Sequence, residues 1–322
     1  MRWWIVPGLL GLLATTWVFW GGVEQQPTTA EDPKLPGLEL AGYRFHAQTF
    51  GDPQNPTVVV LHGGPGDDFS FQLPLKVLSD RYFVVFYDQR GTGLSPRVPD
   101  EQITLEHYLT DLDNIINHYG KGRPVYLIGH SWGGMLATAY VGRFPHKVDR
   151  LVLAAAGPLG QGDQDRLEAE FAALSGGLWW PGLGVYLRSM MVRAGDDRDD
   201  FIYGELGRLW LYHPDNRYHC PGGPPPHSAF RSGARVGSQL LSRIRAEGGP
   251  EGISILRRGV ERFEPEVLFL VGACDGWLGQ SLQAKQRLYF RKSRLVVVEG
   301  VGHMMFLENI EAVQQQIRAY LR

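Results

Sequence analysis

Residues 125–134 read Val-Tyr-Leu-Ile-Gly-His-Ser-Trp-Gly-Gly, an apolar run of strand length that breaks at Gly129 and places Ser131 at the break. Pro124 precedes a stretch of β-branched and aromatic residues, and Met135–Arg143 beyond it reads as a helix with small residues on its near face. Strand, turn and helix in this order predict a strained turn that projects the Ser131 hydroxyl into open space above a sheet. Gly129 and Gly133 serve such a turn because a Cβ at either would collide where strand and helix cross. A glycine-rich loop with an incidental serine is the alternative, and the rest of the chain has to decide between them.

From Leu38 onward strand-like runs alternate with helical stretches, which predicts an α/β fold with a mostly parallel sheet and helices on both faces. Tyr43–Thr49 alternates as an edge hairpin strand would. Thr57–Leu61, Tyr82–Tyr87, Val125–Ile128, Val148–Ala154, Val267–Val271 and Leu295–Val298 read as buried strands, and Ile310–Leu321 as a closing helix. Between Gly157 and about Glu264 no sheet strand is evident; tryptophans, paired aspartates and the run Pro221–Pro226 stand there instead. The organisation that follows is a core domain of residues 38–156 and 265–322 with a mainly helical cap, residues 157–264, inserted into it.

The chain has 322 residues, 43% of them hydrophobic, and a formal charge of -2. It can bury a large core, and without a basic excess it is not expected to bind nucleic acid. Its two cysteines, Cys220 and Cys274, form no zinc spacing. A disulfide between them would tie the cap to the edge of the sheet in an oxidising compartment, two free thiols being the alternative.

The N-terminus differs in kind. Trp3–Gly22 carries no charge and has about the 20 residues needed to cross a bilayer as a helix. Residues 1–23 are therefore expected to be a transmembrane anchor, followed by a Pro- and Thr-rich linker over residues 24–37. Arg2 before the segment and Glu24, Glu31 and Asp32 after it place the catalytic domain outside the cytoplasm. A cleaved signal segment, leaving a secreted or periplasmic protein, is the alternative.

A serine hydroxyl needs a histidine to take its proton and a carboxylate to hold that histidine in the right tautomer. Asp275 lies just past the strand Val267–Val271, and His303 just past Leu295–Val298. Both fall at carboxyl ends of strands, the edge that also carries Ser131. Asp149 and Asp163 are alternatives for the acid. His130, beside the serine, is expected to point away from it and to orient the turn. The tetrahedral intermediate of acyl transfer needs two backbone N–H donors, and Gly64, in His62-Gly-Gly-Pro-Gly66, could supply one to join that of Trp132. No cofactor is required.

HGGPG at His62–Gly66, DQRGTGLS at Asp88–Ser95 and GHSWGG at Gly129–Gly134 together resemble the α/β-hydrolase superfamily, closest to its proline iminopeptidase group. The resemblance covers roughly Tyr43–Ala156 and Val267–Arg322. It implies a serine hydrolase with the triad Ser131, Asp275 and His303, an oxyanion hole of Gly64 and Trp132, and Asp88–Gly93 as a loop buttressing the site. It implies cleavage of an ester or amide in a small molecule or short peptide, including an N-terminal aminoacyl or prolyl bond recognised by cap carboxylates. Glu168, Glu205 and Asp215 are available for that role, while Asp196–Asp200 reads as a solvated turn. His130 and Gly134 depart from the iminopeptidase pattern, and GHSWGG is also the form of esterases and lactonases, so a carboxylesterase or lactonase is the alternative. A non-catalytic binding protein on the same fold is the second.

Overall fold

A computed structural model of the chain describes residues 24–322 apart from 177, 178, 224, 226 and 228. The expected N-terminal membrane helix lies outside the described residues; among the described residues no helix is long and apolar enough to cross a membrane.

The strands are β1 (Gly37–Leu40), β2 (Tyr43–Phe50), β3 (Thr57–Leu61), β4 (Phe83–Tyr87), β5 (Val125–His130), β6 (Val148–Ala154), β7 (Val267–Gly272) and β8 (Ser293–Val298), side by side in the order β1-β2-β4-β3-β5-β6-β7-β8. β1 and β2 form an antiparallel hairpin that adds antiparallel to β4, and every other pairing is parallel. The hairpin turns on Ala41 and Gly42, both at positive φ, the backbone of a two-residue turn whose twist matches that of its strands. The α-helices are α1 (Leu105–Gly120), α2 (Trp132–Arg143), α3 (Gln161–Ser175), α4 (Trp179–Ser189), α5 (Asp196–Leu211), α6 (Ala234–Glu247), α7 (Gln280–Gln286), α8 (Met305–Glu308) and α9 (Ile310–Leu321).

Side-chain alternation along each strand separates two cores. Val59 and Leu61 of β3 face one core, shared with Leu112 and Ile116 of α1 and Leu136 and Tyr140 of α2. Val58 and Val60 face the other, shared with Leu75 and Leu78 of the 3₁₀ segment Phe69–Asp80 and with Val313 and Ile317 of α9. Both faces of β3 and β4 are covered, so these strands are apolar throughout.

Three stretches lie differently from their sequence reading. Helix α6 and the turns after it fall within the expected cap, yet Val236, Leu240, Ile244, Leu256 and Phe263 are buried in the core of the sheet. Residues 24–37, read as a linker, end in the first residue of β1 and lie against the body: Thr28 and Thr29 are buried, and the Thr29 N–H donates to the Leu94 carbonyl at 2.8 Å.

The third is a correction. Asp196–Asp200 is not a solvated turn but the start of α5, where acidic side chains complement the positive end of the helix. Asp200 is buried and accepts from Arg97 Nε and Arg231 Nε, each at 2.8 Å, while its second oxygen takes the Ala234 N–H at 2.9 Å. These partners come from the loop after β4 and the segment before α6, so the cluster fastens the cap to the core. Asp200→Ala would leave two enclosed guanidinium groups without this carboxylate, a defect that costs about 3 to 5 kcal/mol. Its urea unfolding midpoint is expected to fall by the corresponding amount at unchanged slope.

Candidate active site

Ser131 follows the last residue of β5 and precedes the first residue of α2, with φ 53 and ψ −117. A serine at a helix start ordinarily accepts a hydrogen bond from the helix with its side chain. Ser131 makes no such capping bond, because these backbone angles carry Oγ away from the first turn and leave it available. The turn is held by its backbone instead. The Ser131 N–H donates to the Ala154 carbonyl at 3.1 Å, and the Ser131 carbonyl accepts from Gly134 and Gly157, each at 3.0 Å. A Cβ on Gly129 would run into the Gly133 carbonyl, and one on Gly133 into the carbonyls of Leu61 and His62. Helix α2 starts three residues before the sequence-based estimate, since the crossing admits helical backbone directly after the serine.

The loop His62–Gly66 lies against this turn. A Cβ on Gly63 would stand 3.1 Å from Ser131 Cβ, and Gly64 takes φ 109, which a glycine adopts without strain. Gln89 joins the loop to the helix: its Nε2 donates to the His62 carbonyl at 3.0 Å, and its Oε1 accepts from Trp132 Nε1 at 2.8 Å. The Gln89 N–H donates to His62 Nε2 at 3.0 Å, so His62 Nδ1 carries the proton it gives to the Gly63 carbonyl at 2.9 Å. Burial lowers the basicity of His62 in keeping with that neutral ring. Asp88, before Gln89, accepts from the N–H groups of Phe69 at 3.0 Å and Leu94 at 2.8 Å and meets His46 Nδ1 at 2.6 Å. Asp88–Gly93 thus connects both elements expected to form the oxyanion hole.

Asp275 and His303, on the loops after β7 and β8, are buried and in contact: His303 Nδ1 and Asp275 Oδ2 are 2.9 Å apart. The other carboxylate oxygen accepts the N–H groups of Trp277 at 3.1 Å and Leu278 at 2.8 Å, which aims Oδ2 at the imidazole. A proton on Nδ1 leaves Nε2 to act as base. The alternative acids are engaged elsewhere, Asp149 with Arg150 and Asp163 with Lys285. His130 packs beside His303: its Nε2 donates to the His303 carbonyl at 2.9 Å and its Nδ1 accepts from Gln72 Nε2 at 3.1 Å. Burial, reinforced by the charge of His303, pushes His130 down to about 3, so it stays neutral. Among the described residues the His303–Asp275 bond is formed and a Ser131–His303 bond is not; such contacts tighten when substrate binds.

The cap reaches the same pair. The Tyr218 ring stacks on His303 with centroids 4.0 Å apart, and the His303 N–H donates to the Tyr218 carbonyl. The Gly276 N–H donates to the Arg217 carbonyl at 2.7 Å, and Cys220 is joined to Cys274 by a disulfide. The cap carboxylates named from sequence are turned to other work. Glu205 meets Arg188 and Arg208, Glu168 meets Arg245, and Asp215 is exposed beside His213.

One acidic residue of the site escaped the sequence reading. Asp67 directly follows the glycine loop, where it reads as a turn former. Burial pushes its carboxyl up to about 6, and the charge of His303 pulls it back. A carboxyl whose folded value is raised is destabilising once ionised, so its cost is present above about pH 6 and vanishes below the unfolded value of ~4. Asp67→Asn is therefore expected to raise Tm at pH 8 and to lose that advantage by pH 4 in thermal melts across the range.

A family model described as the alpha/beta hydrolase fold matches residues 56–182. Epoxide hydrolase 3 of Xenopus tropicalis is 37% identical over 120 residues, 37% of this chain and 32% of that one. Proline iminopeptidase of Heyndrickxia coagulans is 34% identical over 134 residues, 40% of this chain and 46% of that one. The chain spans less than half the length of these curated relatives. The crystal structure of VinJ is similar over 88% of this chain and 97% of that one, with a TM-score of 0.60 and 26% identity. Residues 56–182 carry the match to the α/β-hydrolase family, and the described chain has the α/β-hydrolase fold.

Proposed function

We propose that the protein is a serine hydrolase that cleaves an ester or amide through an acyl-enzyme on Ser131. The observation that carries this reading is the strained turn that frees Ser131 Oγ at the strand edge where His303 is locked to Asp275. In the reaction, Nε2 of His303 takes the Ser131 proton as Oγ attacks the carbonyl carbon. The N–H groups of Gly64 and Trp132 hold the oxyanion, Asp275 stabilises the imidazolium, and His303 returns the proton to the leaving alcohol or amine. Water then repeats the sequence to release the acid, and no cofactor enters.

Asp67, directly after the glycine loop whose Gly63 lies against Ser131, would suit a substrate with an amino group near the scissile carbonyl, such as the N-terminal residue of a short peptide. The likeness to a proline iminopeptidase supports the same choice. Trp3–Gly22 anchors the protein in a membrane with the catalytic domain outside the cytoplasm, a placement the Cys220–Cys274 disulfide supports.

Ser131→Ala is expected to lower kcat by roughly 10⁴-fold or more and to abolish labelling by a fluorophosphonate probe. Unlabelled wild-type protein would instead favour a binding role. Prolyl and alanyl arylamides assayed beside short acyl esters separate the substrate classes. Turnover of the arylamides, with KM raised in Asp67→Asn, is the expected result, and turnover of esters alone would reject the peptidase reading.

A further inference from the structure

Helix α4 has apolar side chains on two opposite sides. Val185, with Val192 just beyond the helix, is buried against Phe201 of α5. On the other side Trp179, Leu183, Tyr186, Leu187 and Met190 follow at helical spacing, and all are exposed, Trp179 by 63% and Met190 by 55%. Trp180, 65% exposed, stacks its ring on Trp179 with centroids 4.0 Å apart. A surface helix of a soluble domain turns its apolar stripe inward and its polar residues to water. An outward stripe of this length marks a surface with an apolar partner.

The path of the chain identifies the partner. Glu24, Gln25, Pro27 and Glu31 line one cleft with Met191, Val192 and Arg193, at the end of α4. Arg193 Nη2 donates to Glu31 Oε1 at 2.5 Å, and Arg231 Nη1 to the Gln26 carbonyl at 2.9 Å. The first described residues, from Glu24, therefore lie beside the exposed stripe, and the uncharged run Trp3–Gly22 precedes them in the sequence. Tryptophan, tyrosine and methionine on such a face suit the boundary between headgroups and acyl chains. Arg188 and Arg193 are already paired with Glu205, Glu31 and Asp197, so contact rests on apolar burial and does not need anionic lipid.

We infer that the exposed face of α4 dips into the interface of the bilayer that holds Trp3–Gly22. The inference rests on the anchor reading, and the two can be tested apart. Full-length protein carrying Leu187→Cys, labelled with an environment-sensitive nitrobenzoxadiazole dye, is reconstituted in phosphatidylcholine vesicles. Tyr186→Cys serves as a second position and Leu288→Cys, 75% exposed on the 3₁₀ turn before β8, as the control. The dye at 186 and 187 is expected to shift to the blue and to lose about half its emission when nitroxide-labelled lipid is included, while the dye at 288 does neither. Protein that floats with the vesicles but keeps its emission at 186 and 187 overturns the docking of α4 and leaves the anchor standing. A blue-shifted dye that nitroxide lipid does not quench also overturns it, since protein would then cover the face. Failure to float overturns both.

Discussion

The crossing of β5 and α2 at Gly129 and Gly133 is the constraint on which the site depends. Strand and helix approach so closely there that neither glycine has room for a Cβ. The chain can make that approach only by passing through positive φ at the residue between them. Holding a non-glycine residue in that region costs of order 1 to 3 kcal/mol, here offset by the bonds of the Ser131 backbone to Ala154, Gly134 and Gly157. The same approach presses α2 onto the end of β3, whose Leu61 and His62 carbonyls fill the space beside Gly133. The nucleophile candidate and the His62–Gly66 loop are thus placed by a single packing contact.

The candidate base is held from two sides. The sheet supplies Asp275 and the loop after β8; the cap supplies Tyr218, whose ring covers the imidazole and whose carbonyl takes its backbone N–H. A Cβ on Gly302 would collide with the Tyr218 carbonyl, so the residue before His303 has to be glycine for the cap chain to come this close. The disulfide from Cys220 to Cys274, which neighbours Asp275, spans 54 residues of sequence and closes the same contact covalently. In this chain the cap is part of the framework that holds the histidine.

What was legible in the sequence is what short-range pattern encodes. Continuous apolar runs such as Thr57–Leu61 become strands because both their faces are covered, and glycines spaced around Ser131 mark a turn that only close backbone approach requires. Asp275 and His303 were legible because each directly follows a buried strand, and parallel strands bring those ends to one edge. Asp200 was not, since its partners Arg97 and Arg231 lie 103 and 31 residues away and nothing local separates a buried aspartate from an exposed one. Tyr218 stacks on a residue 85 positions later in the sequence, a relation that periodicity does not carry. Helix α6 falls in the cap by sequence because no sheet strand is evident between Gly157 and Glu264, but its Val236, Leu240 and Ile244 stripe belongs to the core of the sheet.

The fastenings of the cap are graded, and the grading says where it can open. Asp200 with its two arginines is buried. Asp68 accepts the N–H groups of Phe230 at 2.5 Å and Arg231 at 3.0 Å, and the disulfide holds Cys220. These ties run from the start of α5 to the start of α6, and breaking any of them exposes charge or strands a buried polar group. Helix α3 adds the ion pairs Glu168 with Arg245 and Asp163 with Lys285 to an apolar seat in which Leu167 and Phe171 pack against Tyr218 and Trp277. Local opening follows the weakest set of contacts, so the cap loosens first at α4, whose Val185 packs within the cap against Phe201, while Tyr218 stays on the histidine.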